Sequence, residues 1–134
     1  MVISNFDDLL KAARSQQDPQ RLLFVFAGIE LPDDATAEQR QEFEAGHGGA
    51  LVPLMYVDKR PDELSSFSAL TDEATSFGHQ WGMVFAAAMS GQENHFPSSD
   101  DAEAPLLKMV EAIKRGDIGT YIPFDRHGDA VQLG

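Results

Sequence analysis

Six polar residues stand where apolar runs of the chain give out: Glu30, Asp58, Lys59, Ser90, His95 and Asp125. Three carboxylates and a lysine brought to one place would hold a hard divalent cation or a cationic ligand through oxygen donors. Ser90, beside Gly91, is of the type that serves as a nucleophile, yet nothing in the sequence identifies a base to take its proton. His95 shares a connector with Phe96, an aromatic residue able to fold over a bound molecule. No catalytic residue is assigned from these positions, and no resident metal or cofactor is expected.

Whether the six meet depends on the strands that deliver them. Leu22 to Ile29 is a run of eight apolar or glycine residues between charges, without polar alternation, and reads as a strand buried on both faces. Ala50 to Asp58 forms a second strand, placed at an edge by Pro53, which cannot donate to a ladder. Gly82 to Met89 is a third, again apolar throughout. Two short pieces, 119–124 and 130–133, flank the turn Asp125 to Asp129 as a closing hairpin.

Helices separate these strands. Phe6, Leu9, Leu10 and Ala13 recur at helical spacing after Asn5, with Asp7 and Asp8 in the first turn. Thr36 and Gln39 have capping-box spacing, but the helix they open has Phe43 as its one large apolar residue, so it buries little. Pro61 opens a helix carrying Leu64, Phe67, Leu70, Ala74 and Phe77, and Gly78 closes it. The last helix begins near Asp101, buries Leu106, Leu107, Val110 and Ile113, and stops at Gly116. The order α-β-α-β-α-β-α-β-β predicts one α/β domain over residues 1–134, a layered sandwich on a mixed, mostly parallel sheet of about five strands. The first strand should lie between the second and the third. In a parallel sheet, ligands bind beyond the carboxyl ends, so Glu30, Asp58, Lys59, Ser90 and Asp125 would share a rim.

Composition narrows the function classes. The net charge of −12, from 22 acidic against 10 basic residues, repels phosphate backbones and anionic lipid, so neither nucleic acid nor membrane is an expected partner. The absence of cysteine excludes thiol nucleophiles, thiolate metal sites and disulfides. No basic leader precedes an apolar segment and no run reaches the roughly 18 apolar residues of a membrane span, so a cytoplasmic location is expected.

Other motifs resolve into structure. Gly46-His47-Gly48-Gly49 precedes a strand, whereas phosphate loops run from a strand into a helix. His47, His79, His95 and His127 all fall in connectors and lack the spacing that sets two ligands on one helix face. Trp81 and Phe77 flank the turn from helix to strand and read as closure of the core; exposed together with Phe96 they would form a partner-binding patch instead.

The segments LLFVFAG, LPDDAT, FEAGHGGAL, VDK, EAPLLKMVEAIKRG and PFDRHG together resemble a group of short bacterial proteins of similar length, over nearly the whole chain. Some of that group bear the label ribonucleotide reductase subunit alpha. Reductase chemistry requires a radical-bearing cysteine and a redox-active pair, which a cysteine-free chain lacks, so the resemblance implies an accessory role and carries over no catalytic residue. The passage PLMYVDKRPDELSSF is also similar to the N-terminal domains of SseB-like proteins, which implies a non-enzymatic role. The resulting expectation is a non-catalytic protein-interaction or accessory module, with a protein partner or a second copy of the chain as its target. The alternative is a small-molecule or divalent-metal-binding protein using the carboxyl ends of the strands.

Overall fold

A computed structural model of the chain describes residues 3–30, 34–44, 50–78, 81–92 and 95–131; the side chains of Ile29, Glu30, Phe43, Glu44 and Ala50 fall outside that description. Four strands, β1 (Gln20–Glu30), β2 (Ala50–Lys59), β3 (Met83–Ser90) and β4 (Ile122–Phe124), form one sheet in the order β2-β1-β3-β4. Every neighbouring pair is antiparallel, which overturns the expected mostly parallel sheet.

The reason lies in the helices. Burial on both faces predicts a parallel sheet, but helices on both sides of an antiparallel sheet impose the same pattern. Leu22, Phe24 and Phe26 pack with α1 (Phe6–Arg14), with α3 (Phe67–Ser76) and with Trp81 on a front face. Leu23, Val25 and Ala27 pack on a back face against Ala102, Leu106, Met109 and Ile113 of α4 (Ser99–Arg115). By contrast α2 (Ala37–Glu44) exposes every residue from 37 to 42 and cannot serve as a crossover laid on the sheet. Without such a cover the chain returns beside β1 in the opposite sense.

The strand placement otherwise follows the residues. β1 lies between β2 and β3, and β2 is an edge strand. The register of β1 with β2 shifts between Phe26 and Ala27, where the bulge leaves Leu54 as an extra residue beside Pro53. Phe6 meets Phe24, Phe67 and Phe124 at centroid distances of 5.7, 5.1 and 5.8 Å, and Trp81 lies edge-on to Phe26 at 5.1 Å. Full burial of a phenylalanine such as Phe24 contributes about 2–3 kcal/mol.

Two helix starts differ from expectation, while Gly78 closes α3 as expected. Pro61 opens a separate 3₁₀ turn, Pro61–Glu63, and α3 starts only after Ser66, whose side chain accepts a hydrogen bond from the Ala69 amide at 3.1 Å. Phe77 follows that helix and is 66 % exposed. α4 begins earlier than expected because Ser98 and Asp101 form a capping box, which puts Pro105 in its second turn. Leu107 points away from the sheet and is 46 % exposed, while Met109 takes the buried position.

The expected fifth strand is not formed by the described residues. Ala130 makes an isolated bridge to Phe124, the Val131 amide donates to Pro123 O at 3.0 Å, and on its other side the limb meets the start of α1, with the Ala130 amide donating to Ser4 O at 2.8 Å. Residues 132 and 133 of that piece lie outside the described residues, as do 45–49 and with them the glycine-rich connector, His47 and, separately, His79.

Candidate functional site

An antiparallel sheet sends alternate strand ends to opposite rims, and this divides the six candidate residues. Leu22 pairs with Lys59, Leu23 with Asp58 and Gln20 with Ser90, so Asp58, Lys59 and Ser90 gather at the rim where β1 begins. Glu30 closes β1 at the opposite rim, and Asp125 follows β4 there. Among the described residues no group of three or more histidine and acidic side chains is placed to hold a metal ion.

At the first rim the back face carries a partly buried polar clasp. Arg21, 9 % exposed, donates from Nε to Asp58 Oδ2 at 2.6 Å, from Nη1 to Pro97 O at 3.1 Å and from Nη2 to Ser99 Oγ at 2.7 Å. Ser99 in turn donates to Asp58 Oδ2 at 2.7 Å. Burial pushes the Asp58 carboxyl up, but the Ser99 hydroxyl and the Arg21 hydrogen bond and charge together outweigh it and hold the group below the usual carboxylate range. This ring ties the start of β1, the end of β2 and the first turn of α4 into one unit. Both bonds to Asp58 end on Oδ2, and the ring gives the carboxylate a structural role.

Arg21 and Ser99 escaped the sequence reading. A signal existed: antiparallel pairing brings the first residues of β1 beside the last of β2, where an arginine and an aspartate on the same face are complementary. Lys59 projects to the other face, beside Leu22, and pairs with Glu73 of α3 at 3.0 Å. Neighbours in sequence, Asp58 and Lys59 therefore serve different faces.

Ser90 accepts a hydrogen bond from Gln20 Nε2 at 2.9 Å, and the same nitrogen donates to Asp18 O at 3.1 Å. An amide donor cannot accept a proton, so this contact does not activate a nucleophile. Beyond Ser90 the chain turns tightly: the Gly91 amide donates to Pro19 O at 2.7 Å and the His95 amide to Gln92 O at 2.8 Å. A Cβ on Gly91 would sit 1.8 Å from His95 O, so the turn requires glycine. A cleft of about 300 Å³ opens here, lined by Ser90, Gln92, His95, Phe96, Pro97 and Asp101. His95 is exposed, and Arg60 stacks on Phe96 at 4.2 Å. Ser90 and His95 therefore share a cleft, separate from the clasp that consumes Asp58.

Asp125 stabilises its own turn, its Oδ1 accepting from the amides of His127 at 2.8 Å and Asp129 at 3.1 Å. His127 is exposed at the tip, as its place between Arg126 and Gly128 predicts.

The front of the same corner holds an apolar cleft of about 180 Å³ between α1 and the sheet, whose walls include Leu9, Ala12, Ala88 and Ile122. Between the two clefts runs the end of β3. Its pairing with β4 stops at Ala86 opposite Ile122, so Ala87 to Ser90 continue without a strand on their outer side among the described residues. Ala88 and Ser90 are exposed.

No helix among the described residues is long and apolar enough to cross a membrane. No protein-family model matches the chain, and no curated protein or solved structure does so at a significant level.

Proposed function

We propose that this chain is a cytoplasmic, non-catalytic interaction module, and that it engages its protein partner at the β3 corner of the sheet. The observation that carries this reading is the overrun of β3 past β4, from Ala87 to Ser90, with a cleft on either side. The polar groups nearby support it: Asp58, Arg21 and Ser99 are spent on one another, Lys59 on Glu73, and Ser90 accepts from an amide. What is left over at the corner is strand edge, with an apolar wall on one side and a polar cleft carrying His95 and Asp101 on the other, and this supports a surface for recognition.

The test is affinity capture from native extract on immobilised protein, compared with the variant Ala88→Glu, together with light scattering of the purified chain. Ala88 is exposed, so the glutamate leaves the fold intact while placing a charge in the apolar cleft. Proteins retained by the parent chain and lost from the variant are expected. A chain that stays monomeric and retains nothing that the variant does not would overturn the reading.

A further inference from the structure

The direction of the backbone groups at this corner can be worked out from the ladder. Gly91 N–H donates to Pro19 O, and antiparallel pairs alternate between hydrogen-bonded and non-hydrogen-bonded. Counting back from that bond, Met89 and Ala87 turn their N–H and C=O towards β1. Ala86, Ser90 and Ala88 turn theirs outward. Ala86 is matched by Ile122 of β4, whereas Ala88 and Ser90 have no backbone partner on that side among the described residues. Two outward donors and two outward acceptors thus stand in line with β4, at the end where β4 has already turned away.

The walls of the corner define what would satisfy them. On the front, the cleft of about 180 Å³ beside Leu9, Ala12, Ala88 and Ile122 suits one apolar side chain. At the end, the cleft of about 300 Å³ carries the Asp101 carboxylate, held below its usual range by the Ser98 amide and hydroxyl and therefore anionic. Neither cleft is lined by a described lysine or arginine. Side chains of an added strand alternate between the faces, so an apolar residue and a basic one at neighbouring positions would each meet a complementary wall.

We infer that the outer edge of β3 at Ala88 and Ser90 binds an extended peptide segment that alternates apolar and basic residues, adding it to the sheet as a strand in line with β4. This rests on the reading of the chain as an interaction module and specifies how that module works. Charge selects this occupant over a second copy of the chain, since two molecules of net charge −12 repel. The opposite edge is a poorer acceptor, because Pro53 and the adjacent bulge interrupt β2.

The test uses a short labelled peptide of alternating valine and lysine, read by fluorescence anisotropy and by amide hydrogen exchange. Two comparison peptides replace lysine by glutamate or methylate alternate backbone nitrogens. The lysine peptide is expected to bind, to slow exchange at the Ala88 and Ser90 amides, and to weaken as salt rises. Backbone methylation should cost about tenfold in affinity by removing donors to the outward carbonyls. Ala88→Pro should cost a similar factor, and because the Ala88 N–H makes no bond to β1 the substitution removes no internal ladder bond.

Failure of the lysine peptide to bind, equal binding of all three peptides, or binding without slowed exchange at Ala88 and Ser90 each overturns strand addition. So does a concentration-dependent dimer that protects the same two amides without peptide, because the occupant is then a second copy. Capture of a partner that is sensitive to Ala88→Glu but not to Ala88→Pro would overturn strand addition while leaving the module reading in place.

Discussion

Two halves of one rim share a sheet, and their polar groups have opposite fates. Where β1 meets β2 and α4, the guanidinium of Arg21 makes three hydrogen bonds to groups on three segments and is itself 9 % exposed. Where β1 meets β3, Ser90 is exposed, one amide nitrogen of Gln20 reaches it, and the strand beside it has stopped. The difference is one of cover. A helix start laid over the first half makes any unpaired charge there expensive, so the polar groups are tied to one another. The second half runs past the end of β4, with Asp101 of α4 at the side of its cleft, and its strand edge stays open to a partner.

Breaking the tied half should have the largest effect. Arg21→Ala leaves the Asp58 carboxylate, Pro97 O and the Ser99 hydroxyl short of partners together. A loss of about 2–4 kcal/mol is expected, read from the midpoint of urea unfolding with unchanged slope. A change below about 0.5 kcal/mol would show that water replaces the guanidinium and that the clasp is not buried in solution.

Asp58→Asn comes next, and its signature is in the pH dependence. The folded-state pKa of Asp58 lies below its ordinary value, so its contribution is present above the unfolded pKa and is lost as pH falls through the folded one. The parent chain should exceed the variant by about 1–2 kcal/mol near neutral pH, and the gap should close below about pH 4. A gap that is constant down to about pH 3 would assign the effect to shape rather than charge.

The part of this architecture that is readable in the residues is whatever depends on burial. The apolar run Leu22 to Ile29 marks the central strand, Pro53 marks the edge, and the spacing of Phe6, Leu9, Leu10 and Ala13 gives the buried face of α1. Strand direction is not encoded by burial, because Leu22 to Ala27 would be covered on both faces in either sense. The informative residue type was in α2, where one phenylalanine among polar residues marks a helix unable to roof a sheet. The site divides for the same reason. β2 and β3 run in the same sense on either side of β1, so Asp58, Lys59 and Ser90 stay together as a parallel reading would have them. β1 and β4 run against them, which carries Glu30 and Asp125 away.

A pair of exposed serines isolates the tie to Arg21 as the cause. Ser99 and Ser90 are the same residue type at the same rim, one between Arg21 and Asp58 and the other beside Gln20. Ser99→Ala removes an acceptor from Arg21 Nη2 and a donor from Asp58 Oδ2 and should cost about 1–2 kcal/mol. Ser90→Ala removes one acceptor from Gln20 Nε2, which keeps its bond to Asp18 O, and solvent reaches the vacated place. Its cost should be within about 0.5 kcal/mol. In the Arg21→Ala background the Ser99 effect should shrink, because its partner is already gone, while the Ser90 effect should stay as it was. Equal costs for the two serines, or a Ser90 effect that changes with Arg21, would mean that the rim is one continuous network, and the β3 corner would then lose its claim to independence.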